Sequence, residues 1–407
     1  MTLVALVVCA VLIGSVLVNA VSTVWFTLQL DCARGAVAYR DLPVVAILLS
    51  LRGIDLDLAD GLRCLLRQQY PHYEVHIVID RHDDPAWEVV QQIIRETDAT
   101  HVSVSPLQKR LETCSLKNSA LLQLIAELDD ACEVVVTANG SIQPHANWLR
   151  DLVAPLSETG VGATYGNPWF IPPASSWGGF VRYLWNASAV IFRYLFEIPW
   201  GGTFAIRRSV LLDSGLVDAW AHAMVDDAPA RNLLHAQGLR IQCVPSLMMA
   251  NREACSLASS LDFMMRQMTW GRMYGAGWSA TIFNTIVVTG GLITAAILVP
   301  LGLALNQLHA VAWAGAGLVG YWLVTLMTLG LLEKGVRRVM ASQGQPMAPC
   351  SLSAWAKIGA AIPLAQGVHV AAFVLAACKR RITWRGVTYH IRGGIRIVSE
   401  QPVKPVT

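Results

Sequence analysis

Hydrophobic positions along this chain fall into two patterns. The first is long and uncharged. No charged residue lies between Thr2 and Leu30, none between Arg272 and Glu333, and none from Ile358 to Cys378. A membrane-crossing helix needs roughly 20 apolar residues. The first run therefore predicts one span over 2–30. The second, broken near Pro300 and Asn306–His309, predicts spans over about 280–303 and 308–332. The third predicts a segment over about 355–378, either a further span or a re-entrant one helped by Pro363. The first run lacks the Lys or Arg of a signal-peptide n-region and exceeds the usual h-region in length, so it reads as a retained span.

The second pattern is shorter and alternating. "LPVVAILLSLRG" is a continuous apolar strand ending in a polar turn, and "DLADGLRCLLRQQYP" follows with Leu58, Leu62, Leu65 and Leu66 at helical spacing. Strand "YEVHIVID", helix "AWEVVQQIIRET", strand "HVSVS", a helix around "LKNSALLQLIAEL" and strand "CEVVVTAN" come next. Strands alternating with amphipathic helices predict a mostly parallel, doubly wound α/β sheet. Ligands of such sheets bind beyond the carboxyl ends of the strands. This places attention on the turns after Leu51, Asp80 and Val136. Farther on, "NPWFIPPASSWGGFVRYLWNASAVIFRYLFEIPWGG" is dense in aromatics but carries Arg182 and Arg193. It reads as an interfacial segment over about 176–198, with an ordinary aromatic core helix as the alternative.

Composition agrees with the runs. Of 407 residues, 54% are hydrophobic and 14% charged, against about 25% charged in a soluble domain, so the chain reads as an integral membrane protein. Nine cysteines are scattered without a CxxC pair, indicating neither a zinc site nor a disulfide framework. The net charge of +3 gives no reason to expect a nucleic-acid partner.

Several polar clusters can carry chemistry. "VIDRHDDPAW" crowds Asp80, Asp83 and Asp84 after a buried strand, which needs a cation or donors for compensation. With Arg52 of "LRGID" at the neighbouring strand end, a nucleotide-diphosphate site is plausible, against the simpler reading of a solvated acidic turn. In "EVVVTANGSIQP", Asn139 and Ser141 stand where a strand end commonly presents a carboxylate to a metal. Trp200, Gly201 and Gly202 precede a strand and allow a substrate close to the backbone. Asp226 and Asp227 precede a helix starting near Pro229. One can deprotonate an acceptor hydroxyl, or both can simply cap the helix. In "FMMRQMTWGRMY", Arg266, Thr269, Trp270 and Arg272 flank the membrane hairpin, as positive-inside anchors or as a diphosphate clamp.

In order and spacing these stretches resemble a GT-A-fold, family 2 glycosyltransferase. More narrowly, "LRGID", "HDDPA", "VDD" followed by "RQMTW", and "TWRGVTYHIRGG" look like ceramide glucosyltransferases and bacterial hopanoid glycosyltransferases. The resemblance implies transfer of a sugar, glucose foremost, from a UDP-sugar to a lipid hydroxyl, ceramide-like in the favoured case, with inversion. It implies nucleotide-sugar contacts at Arg52, Asp80, Asp83, Asp84, Lys117, Arg266 and Trp270, and a general base at Asp227 beside Asp226. Acceptor contacts fall at Trp200, Gly201 and Gly202. A divalent cation, Mg2+ or Mn2+, falls at Asn139 and Ser141, where an amide replaces the usual Asp. Thr269 likewise replaces an Arg of the (Q/R)-x-x-R-W motif.

The implied domains are an N-terminal transmembrane helix (1–32), a catalytic domain (33–275), a C-terminal membrane region (276–378) and a basic tail (379–407). A soluble donor puts the catalytic domain in the cytoplasm, on the face of a bacterial inner membrane. The loop holding Lys334, Arg337, Arg338 and Lys357 is then cytoplasmic, as expected. A spanning 358–378 segment would carry Lys379, Arg380, Arg381 and Arg385 outside, which favours the re-entrant or interfacial reading. The competing functions are a processive polysaccharide synthase, which would need more spans, and a catalytically impaired, lipid-binding relative.

Overall fold

A computed structural model describes residues 1–32, 42–55, 57–171, 176–275 and 277–400. The domain boundaries expected at 32/33 and 275/276 adjoin undescribed residues, and the end of the tail lies outside the described part. Helix α1 (Thr2–Cys32) comes first. Strand β1 (Val45–Leu51), helix α2 (Leu58–Leu65), β2 (Tyr73–Ile79), α3 (Ala86–Thr97), β3 (Val102–Pro106), α4 (Leu116–Glu127) and β4 (Val134–Ala138) follow in the alternation the sequence predicts. After short helix α5 (Trp148–Val153) come β5 (Val161–Phe170), α6 (Trp177–Phe196) and β6 (Thr203–Arg207). Then α7 (Arg208–Asp213), α8 (Leu216–Trp220), α9 (Ala228–Ala236), β7 (Arg240–Asn251) and α10 (Leu257–Tyr274) complete this part.

The seven strands form one sheet in the order β3-β2-β1-β4-β6-β5-β7. β3, β2, β1 and β4 run parallel, β6 is antiparallel to β4 and β5, and β5 pairs parallel with β7. This is the mostly parallel α/β, GT-A-type arrangement expected. β1 and β4 read as uninterrupted apolar runs because helices cover both faces. Leu58, Leu62 and Val90 pack on one face, and Leu121, Leu124 and Leu234 on the other.

Among the described residues, four helices are long and apolar enough to cross a membrane. They are α1, the run of α11 (Trp278–Asn284) through a π-helical turn (Thr285–Thr289) into α12 (Gly290–Ala304), then α13 (Leu308–Ser342) and α14 (Leu352–Cys378). Glycines let α1 approach its neighbours. A Cβ on Gly317 would stand 3.0 Å from the Cys9 backbone, and one on Gly291 3.0 Å from Leu12. Helix α14 is continuous through Pro363. Just before it, Gln343 and Gln345 donate to the carbonyls of Ser246 and Gln143 in the catalytic domain. At its other end, Arg272 of α10 donates to the carbonyls of Ala377 and Lys379.

The tail is not a featureless basic extension. Strands β8 (Arg381–Trp384), β9 (Val387–Arg392) and β10 (Arg396–Ser399) form an antiparallel sheet. Its turns use left-handed Arg385-Gly386 and Gly393-Gly394, conformations that glycine adopts without penalty. Ile382, Val387, Tyr389 and Ile397 form its inner face and pack on Leu116, Met224 and Met273 of the catalytic domain.

Candidate active site

The site forms where β4 ends and where the loops preceding β6 and α9 converge. Helix α4 starts at Ser115, whose hydroxyl accepts from the Asn118 amide. That cap directs the first turn, and Lys117 with it, toward the loop before α9. The loop is moored to the same helix, because the Asn118 side chain donates to the carbonyls of Trp220 and Ala223, each at 3.1 Å. Trp220 Nε1 donates to the Asp226 carbonyl at 2.6 Å, and the Met224 amide donates to the Tyr274 hydroxyl at 2.8 Å. Loop, α4 and α10 thus fix one another.

Lys117 is the hub. Its Nζ lies 2.9 Å from Asp226 Oδ1 and donates to Gly201 O at 3.0 Å and Asn139 Oδ1 at 3.3 Å. Asp226 is 2% exposed, and its second oxygen accepts from Thr137 Oγ1 at 2.9 Å. A carboxylate so dehydrated is tolerable only because both oxygens have partners. Gly201 seals this corner, since a Cβ there would stand 2.6 Å from both Asp226 oxygens.

Asp227 is held differently. One oxygen accepts from Gly201 N at 2.6 Å and the other from Ala228 N at 2.7 Å, capping α9. Its carboxyl pKa is pushed up to about 6, first by burial and then by the neighbouring Asp226 charge. The capping reading and the general-base reading therefore describe the same residue. Trp200 lies against Gly202, where a Cβ would stand 2.3 Å from the indole ring.

At the neighbouring strand ends, Arg52 pairs with Asp80 at 2.7 Å. Asp84 is turned inward instead. Its oxygens accept from Gly53 N and Ala86 N, latching the turn after β1 to the start of α3. Asp83 is exposed and pairs with Arg81 at 3.0 Å. The tail sheet closes over this turn. Arg385 Nη2 donates to both oxygens of Asp55, at 2.8 and 2.7 Å, and its Nη1 donates to the Arg52 carbonyl. On the Lys117 side, the Leu116 amide donates to Tyr389 Oη at 3.2 Å.

The motif before the membrane hairpin divides. Trp270 packs in the cluster shared by the tail sheet, Leu116 and Met224. Arg266 and Thr269 instead line a cavity of about 660 Å3 between α10, the end of α14 and β8. None of the contacts of Arg266 among the described residues reaches Lys117, Asp226 or Asp227. The Thr269 hydroxyl, at the position of the expected arginine, donates to the Met265 carbonyl within its own helix.

Asn139 and Ser141 do not by themselves make a divalent-cation site. Asn139 offers one amide oxygen already facing the Lys117 ammonium, and the nearest carboxylate, Asp226, is paired with that same ammonium. Among the described residues no three His, Cys, Asp or Glu side chains group as metal ligands. Three contributors went unread in the sequence: Thr137, Arg385 and Tyr389. Thr137 sits on β4 two residues before Asn139. The tail residues were signalled by alternating "RITW" and "VTYHI" around the R-G and G-G turns.

Solved structures with a similar chain path include a mannosyltransferase, PcManGT from Pyrobaculum calidifontis, in complex with GDP-Man and Mn2+. It is 14% identical, with 91% of this chain and 99% of that one covered and a TM-score of 0.48. TarS 1–349 of S. aureus in complex with UDP-GlcNAc is 14% identical, covering 87% and 99%, with a TM-score of 0.37. Glucosyl-3-phosphoglycerate synthase from Mycobacterium tuberculosis with Mn2+, UDP and glucosyl-3-phosphoglycerate is 14% identical, covering 59% and 82%, with a TM-score of 0.35. A family profile described as Glycosyl transferase family 21 matches residues 14–397. With nearly the whole chain matched, and the carboxylates, lysine and glycines of the site inside that match, this protein belongs to glycosyl transferase family 21.

Proposed function

We propose that this glycosyltransferase moves a sugar, glucose foremost, from a UDP-sugar to the hydroxyl of a membrane lipid, ceramide-like in the favoured case, with inversion. The observation that carries this reading is the division of labour between adjacent aspartates beside four membrane-length helices. Asp226 is locked to Lys117 and Thr137, whereas the hydrogen bonds of Asp227 among the described residues go to two backbone amides, leaving lone pairs for a hydroxyl. A carboxylate with a pKa of about 6 is ionised at neutral pH yet basic enough to receive a proton. Asp227 takes the acceptor's hydroxyl proton as that oxygen bonds the anomeric carbon. The bond from that carbon to the diphosphate breaks on the opposite face, and UDP leaves with the electron pair.

Lys117 supplies positive charge at the corner where the diphosphate develops its own charge. A divalent ion arriving with the donor would meet Asn139 and Asp226 only by displacing Lys117 from their oxygens, so Lys117 is assigned the neutralising role. Arg52, Asp80 and Trp270 bound the nucleotide side, with Asp84 fixing the turn. Trp200, Gly201 and Gly202 lie on the acceptor side.

A soluble donor places this domain in the cytoplasm. The loop preceding α14 and the last turn of α14 both contact that domain, and the tail sheet packs on it. This favours an interfacial α14, because a helix unbroken from Leu352 to Cys378 has no turn by which to re-enter. The test is release of UDP from a panel of UDP-sugars by the purified chain, with neutral lipid acceptors and with or without Mn2+. Lipid-dependent release from UDP-glucose is expected. Release that ignores every lipid, or none from any donor, would sink the reading.

A further inference from the structure

The cavity between α10, the end of α14 and β8 is unlike the active site in one respect: its cations outnumber its anions. Arg266, Lys379, Arg380 and Arg381 all line it, and Asp262 is the one carboxylate in the lining. None of the four makes an ion pair within 4.0 Å among the described residues. Arg266 is half-buried, and its desolvation outweighs the attraction of Asp262 and Glu253, a cost that a bound anion would offset. The remaining wall includes Met265, Leu375 and Ile382.

The cavity is also built rather than incidental. Arg272 holds the last carbonyls of α14 and thereby sets Lys379–Arg381 at its mouth. Beside that mouth, Val374 and Leu375 on the last turn of α14 are 55% and 46% exposed, an apolar surface suited to acyl chains. Cations converging above an apolar floor, at the end of a membrane helix, match a phosphate group carried on a lipid.

We propose that this cavity binds the phosphate headgroup of an anionic membrane phospholipid, separately from the donor site. The proposal rests on the membrane placement of α14 given above. The bound phosphate supplies the countercharge missing from the cavity, and the acyl chains lie against α14 in the bilayer. Its role is to fasten the end of α14 and the tail sheet against α10, and so to couple lipid composition to the wall of the active site.

The test uses the full chain, purified in detergent and reconstituted in nanodiscs of phosphatidylcholine alone or with phosphatidylglycerol. Lipids retained after mild delipidation are counted by native mass spectrometry. The natural protein is expected to retain phosphatidylglycerol over phosphatidylcholine on the order of tenfold. The combined Lys379→Gln, Arg380→Gln, Arg381→Gln variant should lose that preference. Equal retention of both lipids by the natural protein overturns the proposal, whatever the fate of the variant. So does an unchanged preference in a folded variant. Displacement of the lipid by inorganic phosphate or UDP would give the cavity to a soluble phosphate and overturn the lipid assignment. A chain that stays soluble without detergent would overturn this proposal together with the membrane reading.

Discussion

The Lys117 corner and the α10–α14 cavity both gather positive charge, largely buried at the corner and half-buried to exposed in the cavity, and they are opposites in how it is met. At the corner, one ammonium meets a carboxylate, an amide oxygen and a carbonyl within 3.3 Å. In the cavity, four cations share the Asp262 carboxylate, and none of them closes an ion pair within 4.0 Å among the described residues. A network closed on itself fixes geometry before any ligand arrives, as catalysis by preorganised charge requires. An open one takes its balance from what binds. The contrast assigns chemistry to the first and ligand capture to the second.

The strongest way to break this comparison is at Asp227. Asp227→Asn should cut lipid-dependent turnover by about 10^2–10^4-fold, the usual contribution of a general base, while UDP binding, measured by calorimetry, survives. A folded pKa raised to about 6 gives the natural protein a stabilising contribution that is full below the unfolded value near 3.8 and lost as pH rises through 6. In the natural enzyme kcat/KM should fall as pH drops below about 6, because the base becomes protonated. Asp226→Asn should move this limb to lower pH, since Asp226 is one of the groups holding Asp227 up. An unmoved limb would detach the pH dependence from this pair.

Next in size is Lys117→Met. Removing one member of a buried pair leaves Asp226 uncompensated, at a cost of about 3–5 kcal/mol, and removes the charge facing the diphosphate. Thermal melting and turnover should both fall. A variant with normal turnover would show that the neutralising charge comes from elsewhere. Asn139→Asp is milder. It adds a carboxylate beside Lys117, and turnover should become more responsive to Mn2+ than in the natural protein. Identical metal titrations would mean that Asn139 does not face the diphosphate.

Legibility in the sequence followed regularity. β1 to β4 were readable because each is an apolar run set between helices with clear 3.6-residue spacing. The antiparallel β6 and the parallel β5–β7 pair were not resolved. "VGATYGNPWF" is buried throughout as β5, but Gly162, Gly166 and Pro168 break the apolar run that marks a strand, and its end merges into the aromatic stretch read as interfacial. The tail was read as basic because Arg381, Arg385, Arg392 and Arg396 obscure a period-2 alternation whose inner face is Ile382, Val387, Tyr389 and Ile397. Among site residues, Asp226, Asp227 and Lys117 could be placed from local context. The turning inward of Asp84 and the departure of Arg266 to a second cavity depend on tertiary packing, and no local pattern encodes them.

The smallest effect is expected at Arg385, and it probes the boundary between the two regions. Arg385 ties the tail sheet to the turn bearing Arg52, through Asp55 and the Arg52 carbonyl. Both side chains are about a third exposed or more, at 34% and 40%. The pair is therefore worth no more than about 1 kcal/mol to stability. Arg385→Ala should leave kcat unchanged, because no reacting group is touched. It should raise KM for the donor by about threefold, the loss of uniform binding when a covering element loosens. The opposite pattern, a fall in kcat at constant KM, would mean that the tail acts on the chemical step. The closed corner and the tail would then be one machine rather than two.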